Sequence, residues 1–253
     1  MKILLNGYCG RTAKEVIRLA ERNYNGEEYE IFGVDGFCEK ETERLKKSFA
    51  GAEKEADCLI DFSYHTLIKE LIDFAAENRL PAVIATTGHT DAEKKIIEKA
   101  SEKIPIFYSS NFSVGIALLT EFVKKTVTVL PDADVEITEI HHRNKVDAPS
   151  GTALFLAEEL KKIRKDAIFK FGRKGEERRD KNEIGIHSLR IGNAVGEHEI
   201  VIGYGGETIN LKHRAADRSV FAEGALKAAK FLVTKKAGMY SMKDMLNITG
   251  ERI

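Results

Sequence analysis

The sequence predicts an α/β protein with an N-terminal Rossmann-like dinucleotide-binding domain and a second, α+β domain built on an open, mainly antiparallel sheet. Through the first half, short apolar runs alternate with helical segments, which favours a parallel sheet with helices on both faces. After about residue 112, the later strands instead follow one another across glycine-containing turns, which favours antiparallel pairing. We therefore expect a first domain of residues 1–112 and 221–253, and a substrate-binding and oligomerisation domain of residues 113–220.

The first half supplies five predicted strands and three predicted helices. The strand segments are KILLNG, YEIFGVD, ADCLIDFS, PAVIATTG and PIFYSSN. The helical segments are RTAKEVIRLAERN, HTLIKELIDFAAENRL and TDAEKKIIEKASEKI. Thr90 or Asp91 is expected to cap the third helix. The strands are almost continuously apolar, as expected for strands that are buried on both faces.

The second half has a different order of elements. A helix over VGIALLTEFVKKTVTVL precedes DVEITEIHH, whose alternation is typical of a half-exposed strand, and then a helix over SGTALFLAEELKKI. The segments EIGIHSLRIG, GEHEIVIGYG and ETINLKHRA predict a meander of three antiparallel strands. A long helix over SVFAEGALKAAKFLVTKK follows and is expected to return to the first domain.

Composition excludes several classes of function. Lys+Arg and Asp+Glu are both 40, so the net charge gives no reason to expect nucleic acid or an anionic membrane as a partner. No apolar run approaches the ~20 residues of a membrane span, and MKILLNGYCG resembles a first strand more than a signal peptide. The charged segment KFGRKGEERRDKN is expected to be a solvated loop. Cys9, Cys38 and Cys58 lack metal-ligand spacing and are expected to be free thiols in a reducing cytoplasm.

A glycine turn at the start of the chain predicts a dinucleotide site. Gly7 and Gly10 lie between the first strand and helix, and Ala13 follows with a side chain small enough for close packing. Such a turn brings the helix N-terminus close to a pyrophosphate, whose charge the backbone N–H groups favour. Asp35 ends the second strand, where a carboxylate accepts hydrogen bonds from an adenosine ribose. The alternatives are a tight turn without a ligand and a simple turn role for Asp35; we favour cofactor binding.

Two further loops lie at the ends of predicted strands, where open α/β sheets bind ligands. They are ATTG, from Ala85 to Gly88, and SSNF, from Ser109 to Phe112. Both offer small residues and backbone donors on the expected nicotinamide side of the site.

The segment EIHHRNKVDAPSGTAL, from Glu139 to Leu154, ends in a helix start. Ser150 is a plausible N-cap, and the backbone N–H groups of Gly151 and Thr152 would then face an anion. Glycine at this position allows a ligand to approach the backbone closely. This half of the segment therefore predicts a site for a carboxylate or a phosphate.

The other half of the segment predicts acid–base chemistry. His141 and His142 end a strand, so their side chains leave on opposite faces and are poorly placed to share a metal ion; we expect no metal site. Ser150 lacks the GxSxG context of a hydrolase nucleophile. Histidine titrates near neutrality, and Lys145 can donate a proton or pair with an acidic substrate. In a hydride-transferring enzyme, His141 or Lys145 would supply the proton.

The segment EIHHRNKVDAPSGTAL resembles the signature of the 4-hydroxy-tetrahydrodipicolinate reductase (dihydrodipicolinate reductase) family, and the resemblance extends over essentially the whole chain. NGYCGRTA stands where the family has its glycine turn, and ATTG and SSNFSVG resemble its nicotinamide-side loops. The resemblance implies NAD(P)H-dependent reduction of a cyclic imine dicarboxylate in diaminopimelate and lysine biosynthesis, and a homotetramer formed through the second-domain sheets. The balanced charge, as noted above, leads us to expect no nucleic acid or membrane partner.

The resemblance also assigns roles to individual residues. It implies that His141 donates the proton, that Lys145 is a second donor, and that the substrate is bound by His142, Ser150, Gly151 and Thr152. The residues expected to line the cofactor are Gly7, Tyr8, Cys9, Gly10, Arg11, Thr12, Asp35, Ala85, Thr86, Thr87, Ser109, Ser110, Asn111 and Phe112.

The chain departs from the family pattern in three places. Thr12-Ala13 replaces the usual Met-Gly, Ile191 replaces a common glycine, and Gly36 stands where many relatives carry arginine. The carboxylate of Asp35 would repel the 2′-phosphate of NADPH, and Gly36 brings no charge to offset it. We therefore expect NADH to be preferred, with NADPH possible if Arg11 or Lys40 compensates.

Two other functions fit part of the sequence. Another nicotinamide-dependent oxidoreductase acting on a different carboxylate would keep the glycine turn but would not explain the whole of segment 139–154. A cofactor-sensing or structural protein on the same fold would bind the cofactor without turnover. The combination of His141, Lys145 and Ser150-Gly151-Thr152 argues against this second alternative.

Overall fold

The structure is a computed structural model that describes residues 1–52 and 55–247. It divides into two compact units, the first formed by Met1–Ser113 with the chain from Arg218 onwards, and the second by Val114–Asp217. The part of the predicted first domain that spans residues 248–253 lies outside the described residues.

The described residues form strands, α-helices and three short 3-10 helices at Tyr24–Gly26, Phe49–Gly51 and His65–Leu67. The strands are β1 (Lys2–Asn6), β2 (Glu30–Val34), β3 (Leu45–Lys46), β4 (Cys58–Asp61), β5 (Ala82–Ile84), β6 (Pro105–Tyr108), β7 (Asp134–His141), β8 (Ile168–Phe171), β9 (Glu183–Arg190), β10 (Gly196–Tyr204), β11 (Glu207–Ala215) and β12 (Gly238–Tyr240). The α-helices are α1 (Arg11–Glu21), α2 (Ile68–Glu77), α3 (Asp91–Ser101), α4 (Val114–Val129), α5 (Gly151–Lys161), α6 (Ser219–Leu232) and α7 (Met242–Met245).

The first unit contains the predicted parallel sheet. Its strand order is β12-β6-β5-β4-β1-β2-β3, and every pairing is parallel. All four residues of β4 are buried, as expected for a strand covered on both faces. The short edge strands β3 and β12 were not predicted, because two or three residues carry too little pattern to identify a strand.

The predicted cap of α3 is confirmed, and a late helix completes the first unit. Thr90 caps α3 in a capping box with Glu93: Thr90 Oγ1 accepts from the Glu93 N–H, and Glu93 accepts from the Thr90 N–H. The late helix α6 returns to pack against α1 and the sheet. It packs so closely that a Cβ on Gly224 would lie 1.8 Å from the carbonyl oxygen of Phe112, which only glycine avoids.

The second unit contains an open sheet of order β11-β10-β7-β9-β8. The antiparallel pairings β10–β11 and β10–β7 join more residues than the parallel pairings β7–β9 and β8–β9. The burial of β7 alternates along its length, as its sequence predicted. The hydrophobic core beneath the sheet includes Val135 and Ile137 of β7, with Leu156 of α5.

The prediction that β9, β10 and β11 form a meander is wrong. Only β10 and β11 pair as neighbours, because β7 lies between β9 and β10. The connection from β9 to β10 crosses the end of β7, where the Ile191 N–H donates to the His141 carbonyl at 2.9 Å. The prediction assumed that strands that follow one another in the sequence also pair in the sheet. Segments β9 and β10 are strands, as predicted, but both pair with the earlier strand β7.

The charged segment over residues 170–183 is only partly the solvated loop that was predicted. Residues 171–178 are exposed, but Lys170 and Phe171 belong to β8. Arg179 is tied to the central strand β7 by an ion pair with Asp134 at 2.9 Å and a hydrogen bond to Glu136 at 3.2 Å. In the part of the chain that the structure describes, no helix is both long and apolar enough to cross a bilayer.

Candidate active site

A cavity of about 830 Å³ opens at the carboxyl ends of the first unit's strands. This is the edge at which open parallel sheets bind ligands. The predicted cofactor residues that line it are Gly7, Cys9, Gly10, Arg11, Thr12, Asp35, Ala85, Thr86 and Thr87. The glycine turn, the acid after β2 and the loop after β5 are therefore brought together around one space.

The glycine turn has a tightly packed backbone that leaves no room for side chains at Gly7 or Gly10. Gly7 has φ +77°, and a Cβ there would lie 2.6 Å from the Phe62 carbonyl oxygen. A Cβ on Gly10 would lie 2.9 Å from the Gly7 oxygen. Gly10 is the N-cap of α1 and provides no side chain to cap the helix, so the first N–H groups of α1 have no side-chain partner at the N-cap. These features make the start of α1 suitable for an anion.

Asp35 is buried, and the backbone fixes both of its carboxylate oxygens. The Cys9 N–H donates to Oδ2 at 2.8 Å, and the Phe37 N–H donates to Oδ1 at 2.9 Å. The first bond ties the end of β2 to the glycine turn. Each carboxylate oxygen retains a second acceptor position, which is available to a ribose hydroxyl.

Arg218 is a lining residue that the sequence analysis missed. It lies immediately before α6 and lines the cavity together with Arg11. Burial, and then the nearby charge of Arg11, lower the pKa of the Arg218 guanidinium. Among the described residues, neither arginine forms an ion pair with a carboxylate, so this pair of cations is available to a phosphate. No local motif marks Arg218, because it comes from the far end of the chain.

Some predicted cofactor residues do not line this cavity. Tyr8 packs against β2, where a Cβ on Gly33 would overlap its ring. The loop from Ser109 to Phe112 is held by its own hydrogen bonds, with Ser109 Oγ donating to the Asn111 carbonyl at 2.7 Å. Ser110 also lies outside the lining residues, and Phe112 is buried beneath α6. Their cofactor roles stay predictions.

In the second unit, His141 is paired with a buried carboxylate. His141 and Glu139 are two residues apart on β7 and therefore lie on the same face of the sheet. Nδ1 of His141 lies 2.5 Å from Oε2 of Glu139, and both side chains are buried. Because a carboxylate can only accept, Nδ1 carries a proton in this pair, and Nε2 is the nitrogen that can exchange one with a substrate.

Glu139 is held in place from two more directions. Arg190 donates from both of its terminal nitrogens to the two Glu139 oxygens, at 2.8 and 2.9 Å. The Ser150 N–H donates to Oε1 at 3.1 Å. Burial alone would raise the pKa of the Glu139 carboxyl, but hydrogen bonds from His141, Arg190 and Ser188 outweigh burial and lower it to about 2. Glu139 therefore stays ionised and keeps His141 in one orientation.

Ser150 joins this cluster to the start of α5. Its Oγ accepts from the Ala153 N–H at 3.2 Å, which confirms the predicted N-cap. The same Oγ lies 3.0 Å from Nε2 of His198. Burial, and then the charge of His141, lower the pKa of His198 to about 3, so His198 is neutral and acts here as a hydrogen-bonding partner. Gly151 is exposed, with no atom within 4 Å of the position of a Cβ, so its backbone faces open space.

Lys145 and His142 lie in the connection between β7 and α5. Nζ of Lys145 donates to Oδ1 of Asp147 at 2.8 Å, and this bond lowers the pKa of the Asp147 carboxyl. His142 is partly exposed just beyond the end of β7. In the described part of the chain, no group of three or more His, Cys, Asp or Glu side chains is arranged to hold a metal ion.

Two departures from the family pattern have simple structural outcomes. Ile191 is exposed, and the left-handed backbone position beside it falls on Gly192, at φ +51°. Ala13 is fully buried in α1, and Thr12 lines the cavity. Both positions accept the residues present without a strained backbone.

The sequence analysis assigned no role to Glu139, Arg190, His198 or Gly196. Glu139 carried a usable signal, because its spacing of two from His141 on a strand puts the two side chains on one face. Arg190 and His198 reach the cluster through pairings of β7 with β9 and β10 that chain order does not reveal. Gly196 is required locally: a Cβ there would lie 3.0 Å from Nε2 of His141.

Comparisons with known proteins agree over nearly the whole chain. Residues 1–112 match the family model "Dihydrodipicolinate reductase, N-terminus", and residues 115–246 match "Dihydrodipicolinate reductase, C-terminus". The 4-hydroxy-tetrahydrodipicolinate reductase of Caldanaerobacter subterraneus subsp. tengcongensis is 42% identical, covering 97% of this chain and 98% of the relative. The 4-hydroxy-tetrahydrodipicolinate reductase of Clostridium novyi is 39% identical, covering 97% of this chain and 98% of the relative. A dipicolinate-bound dihydrodipicolinate reductase from Paenisporosarcina sp. TG-14 shares the fold, with TM-score 0.80, 22% identity, and coverage of 98% and 99%.

Proposed function

Because this chain belongs to the dihydrodipicolinate reductase family, we propose that its first unit holds the nicotinamide cofactor and that His141 in its second unit donates the proton. The chain is an NAD(P)H-dependent 4-hydroxy-tetrahydrodipicolinate reductase of diaminopimelate and lysine biosynthesis. The observation that carries the proposal about the proton is the buried Glu139–His141 pair, whose geometry leaves one imidazole nitrogen for proton transfer.

The residues around the cavity fit a dinucleotide. Gly7 and Gly10 allow a pyrophosphate to approach the start of α1, and Arg11 and Arg218 bring two cations that have no carboxylate partner among the described residues. The carboxylate of Asp35 is ready to accept hydrogen bonds from the ribose hydroxyls. When bound, the nicotinamide supplies a hydride to the substrate carbon.

His141 acts as the general acid in this proposal. Glu139 fixes the proton on Nδ1 and stabilises the doubly protonated imidazolium, which can then give up the proton on Nε2. Arg190 and the Ser150 N–H hold Glu139, so the imidazole cannot turn away from its working orientation. Gly196 keeps space open beside Nε2 because it has no side chain.

The start of α5 is the proposed carboxylate site. The open space around Gly151 allows a planar dicarboxylate to reach the backbone, and the N-terminal end of α5 favours negative charge. We assign Ser150, Thr152 and His142 to the same site. Lys145 is the second proposed donor; it must exchange its bond to Asp147 for one to substrate.

A single experiment tests the role of His141. We expect H141Q to lower kcat by about 10²- to 10⁴-fold, the usual contribution of general acid catalysis, with an unchanged Kd for NADH. The substrate is generated in situ by the upstream synthase, and NADH oxidation is followed at 340 nm. The matched control is H187Q, which removes another histidine paired with a glutamate on the same sheet, and it should retain activity. Activity of H141Q within twofold of wild type would exclude His141 as the donor.

Inhibition kinetics test the proposed carboxylate site. Pyridine-2,6-dicarboxylate should compete with the imine substrate, and T152A should raise both its Ki and the substrate KM. Noncompetitive inhibition that T152A leaves unchanged would contradict the assignment. Cofactor binding without any turnover in the wild-type protein would instead favour a cofactor-sensing role.

The preference for NADH is also part of the proposal. Asp35 is buried and directly follows β2, and the residues that follow it, Gly36 and Phe37, carry no charge. Among the described residues that line the cavity, Arg11 and Arg218 are the cations, and both lie at the pyrophosphate end, beside the start of α1 and α6. A 2′-phosphate would therefore meet the Asp35 carboxylate with no cation in the two residues that follow it to offset the repulsion.

We propose a homotetramer formed through the second-unit sheet. Ile209 on β11 and Leu189 on β9 are each more than a third exposed, as expected of a sheet with an uncovered apolar surface. Light scattering should give the mass of four chains; a monomer with full activity would contradict this. A cytoplasmic location is also proposed, because a nicotinamide cofactor and three free cysteines suit a reducing compartment.

A further inference from the structure

His198 is a buried histidine beside the proposed carboxylate site, and the proposed function gives it no role. It lies on β10, where it pairs across the sheet with Glu139 of β7, and it is only 4% exposed. Its Nε2 lies 3.0 Å from Oγ of Ser150, the N-cap of α5. Among the described residues, its Nδ1 is buried and has no hydrogen-bond partner. This arrangement is unusual, because buried polar atoms are nearly always paired.

The unpaired Nδ1 indicates which nitrogen of His198 carries the proton. Burial, and then the charge of His141, lower the pKa of His198 to about 3, so the ring is neutral and only one nitrogen is protonated. A proton on Nδ1 would form a buried N–H without an acceptor, which is rarer in proteins than an acceptor without a donor. The favoured tautomer therefore carries its proton on Nε2, and this N–H donates to Oγ of Ser150.

This donation fixes the direction of the Ser150 hydroxyl. Oγ also accepts from the Ala153 N–H at 3.2 Å, so the bond from His198 occupies its second acceptor position. The O–H of Ser150 must then point away from both donors, and Oγ has no third partner among the described residues. The unused O–H belongs to the residue directly before Gly151, whose backbone faces open space at the start of α5.

We propose that His198 is a positioning residue that makes Ser150 a hydrogen-bond donor to a substrate carboxylate. The inference rests on the proposed function, because it takes the start of α5 as the carboxylate site. Without the Nε2–H of His198, the Ser150 hydroxyl is free to rotate and to present its lone pairs to the anion. With this N–H in place, the hydroxyl can only donate, so it favours a carboxylate oxygen over an amide N–H or an ammonium group.

The proposed role differs from simple packing in one measurable way. His198 does not touch the substrate in this proposal and acts only through Ser150. Its removal should therefore weaken carboxylate binding only while Ser150 is present, because effects that pass through one shared contact are not additive. Loss of a hydrogen bond to a charged group typically weakens binding by about 10- to 150-fold, which sets the scale for S150A.

Isothermal titration calorimetry with pyridine-2,6-dicarboxylate, in the presence of saturating NADH, tests the proposal. We expect S150A to raise the Kd by about 10- to 150-fold and H198L to raise it by at least about fivefold. The double variant S150A/H198L should have the Kd of S150A to within about twofold. H198Q has a side-chain amide N–H that can replace the Nε2–H, so its Kd should stay within about threefold of wild type.

The matched control is H187L, which removes another histidine of the same sheet, paired with Glu136, and should leave the Kd of the dicarboxylate unchanged. The Kd of NADH, whose proposed site lies in the first unit, should be unchanged in every variant. If the effects of S150A and H198L multiply in the double variant, the proposal is overturned in favour of a packing role. Wild-type affinity in H198L would also overturn it.

The tautomer can be measured without H198L, in case that variant fails to fold. Magic-angle-spinning NMR of protein with isotope-labelled histidine correlates each ring nitrogen with its bonded carbons, and Nε2 is the nitrogen bonded to Cδ2. The signals of His198 are those that are missing in H198Q. With pyridine-2,6-dicarboxylate bound, we expect the proton of His198 on Nε2. A proton on Nδ1 would overturn the proposal.

The same titrations separate this inference from the proposed function. If the wild-type protein binds the dicarboxylate and reduces the imine while H198L keeps its affinity, the role of His198 falls and the reductase assignment stands. If the wild-type protein binds neither NADH nor the dicarboxylate and shows no turnover, both fall together.

Discussion

Gly196→Ala should slow the reaction without destabilising the fold, because the new methyl group would meet Nε2 of His141, the proposed proton donor. A Cβ at this position would lie 3.0 Å from Nε2, 3.5 Å from Cδ2 and 3.8 Å from Cε1 of the imidazole. Ordinary contacts begin at 3.4 Å, so the ring must move by about 0.4 Å. The ring is anchored at Nδ1 by Glu139, 2.5 Å away, so it can respond only by pivoting, which displaces Nε2 most.

The expected magnitude follows from this displacement. A misplacement of about 1 Å in a catalytic group can cost about 10²-fold in rate, so a shift of a few tenths of an ångström should lower kcat by about tenfold. The backbone of Gly196 does not require glycine, since its φ lies outside the left-handed region, and the melting temperature should change little.

Steady-state kinetics with NADH oxidation at 340 nm measure kcat and the substrate KM, and calorimetry measures the Kd of NADH, which should be unchanged. The matched control is G206A, in the turn that joins β10 and β11, where a Cβ would meet no atom within 4 Å. Equal kcat values in G196A, G206A and wild type would refute the proposed role of Nε2. A similar loss in both variants would instead point to a general effect on the β10–β11 hairpin.

Three further predictions concern the charges of the two units. Glu139 has a folded pKa of about 2, below its ordinary value of 4.5, so it stabilises the fold above about pH 4.5, and this contribution is lost as the pH falls towards 2. E139Q should therefore have a lower free energy of unfolding in urea at pH 7, but this free energy should fall less than that of wild type between about pH 4.5 and 2. If the free energy of unfolding depends on pH in the same way in E139Q and wild type, this prediction is wrong. R218A should raise the Kd of NADH by about tenfold, whereas R22A, at the exposed end of α1, should not; equal values in the two variants would remove Arg218 from the site. Wild-type kcat/KM should favour NADH over NADPH by about five- to thirtyfold, and G36R should shift it towards NADPH; equal or better use of NADPH by the wild type would refute the preference.

Sequence patterns predicted the first unit well because its signals are local. The glycine turn, the Thr90 cap and the consecutive apolar residues of β4 each report on neighbours a few residues away. The Ser150 N-cap was predicted for the same reason. The carboxyl ends of parallel strands meet at one edge, so Gly7, Asp35 and Ala85 could be expected around one cavity before any coordinates were known.

The rest depends on pairings between distant segments. The sequences of β9 and β10 do not indicate that β7 lies between them in the sheet. The position of β7 between these strands brings Arg190 and His198 to the Glu139 cluster. Arg218 reaches the glycine turn only because α6 returns to the first unit. These residues carry no distinctive local motif, so a single sequence gives no reason to select them over the other arginines and histidines.

The return of α6 has a consequence for how the chain folds during synthesis. The first unit is split, since its remaining helices and its edge strand β12 come after the whole of Val114–Asp217. At about 5–20 residues per second, the ribosome needs on the order of 5–20 s to make that intervening stretch. During this interval α6 does not yet cover the strands of the first sheet. Their apolar side chains are therefore exposed and can bind chaperones or other nascent chains. The second unit is contiguous and can fold first. A chain ended after Asp217 should therefore show a protease-resistant second unit beside a protease-sensitive first one, and equal resistance of both would contradict this order of folding.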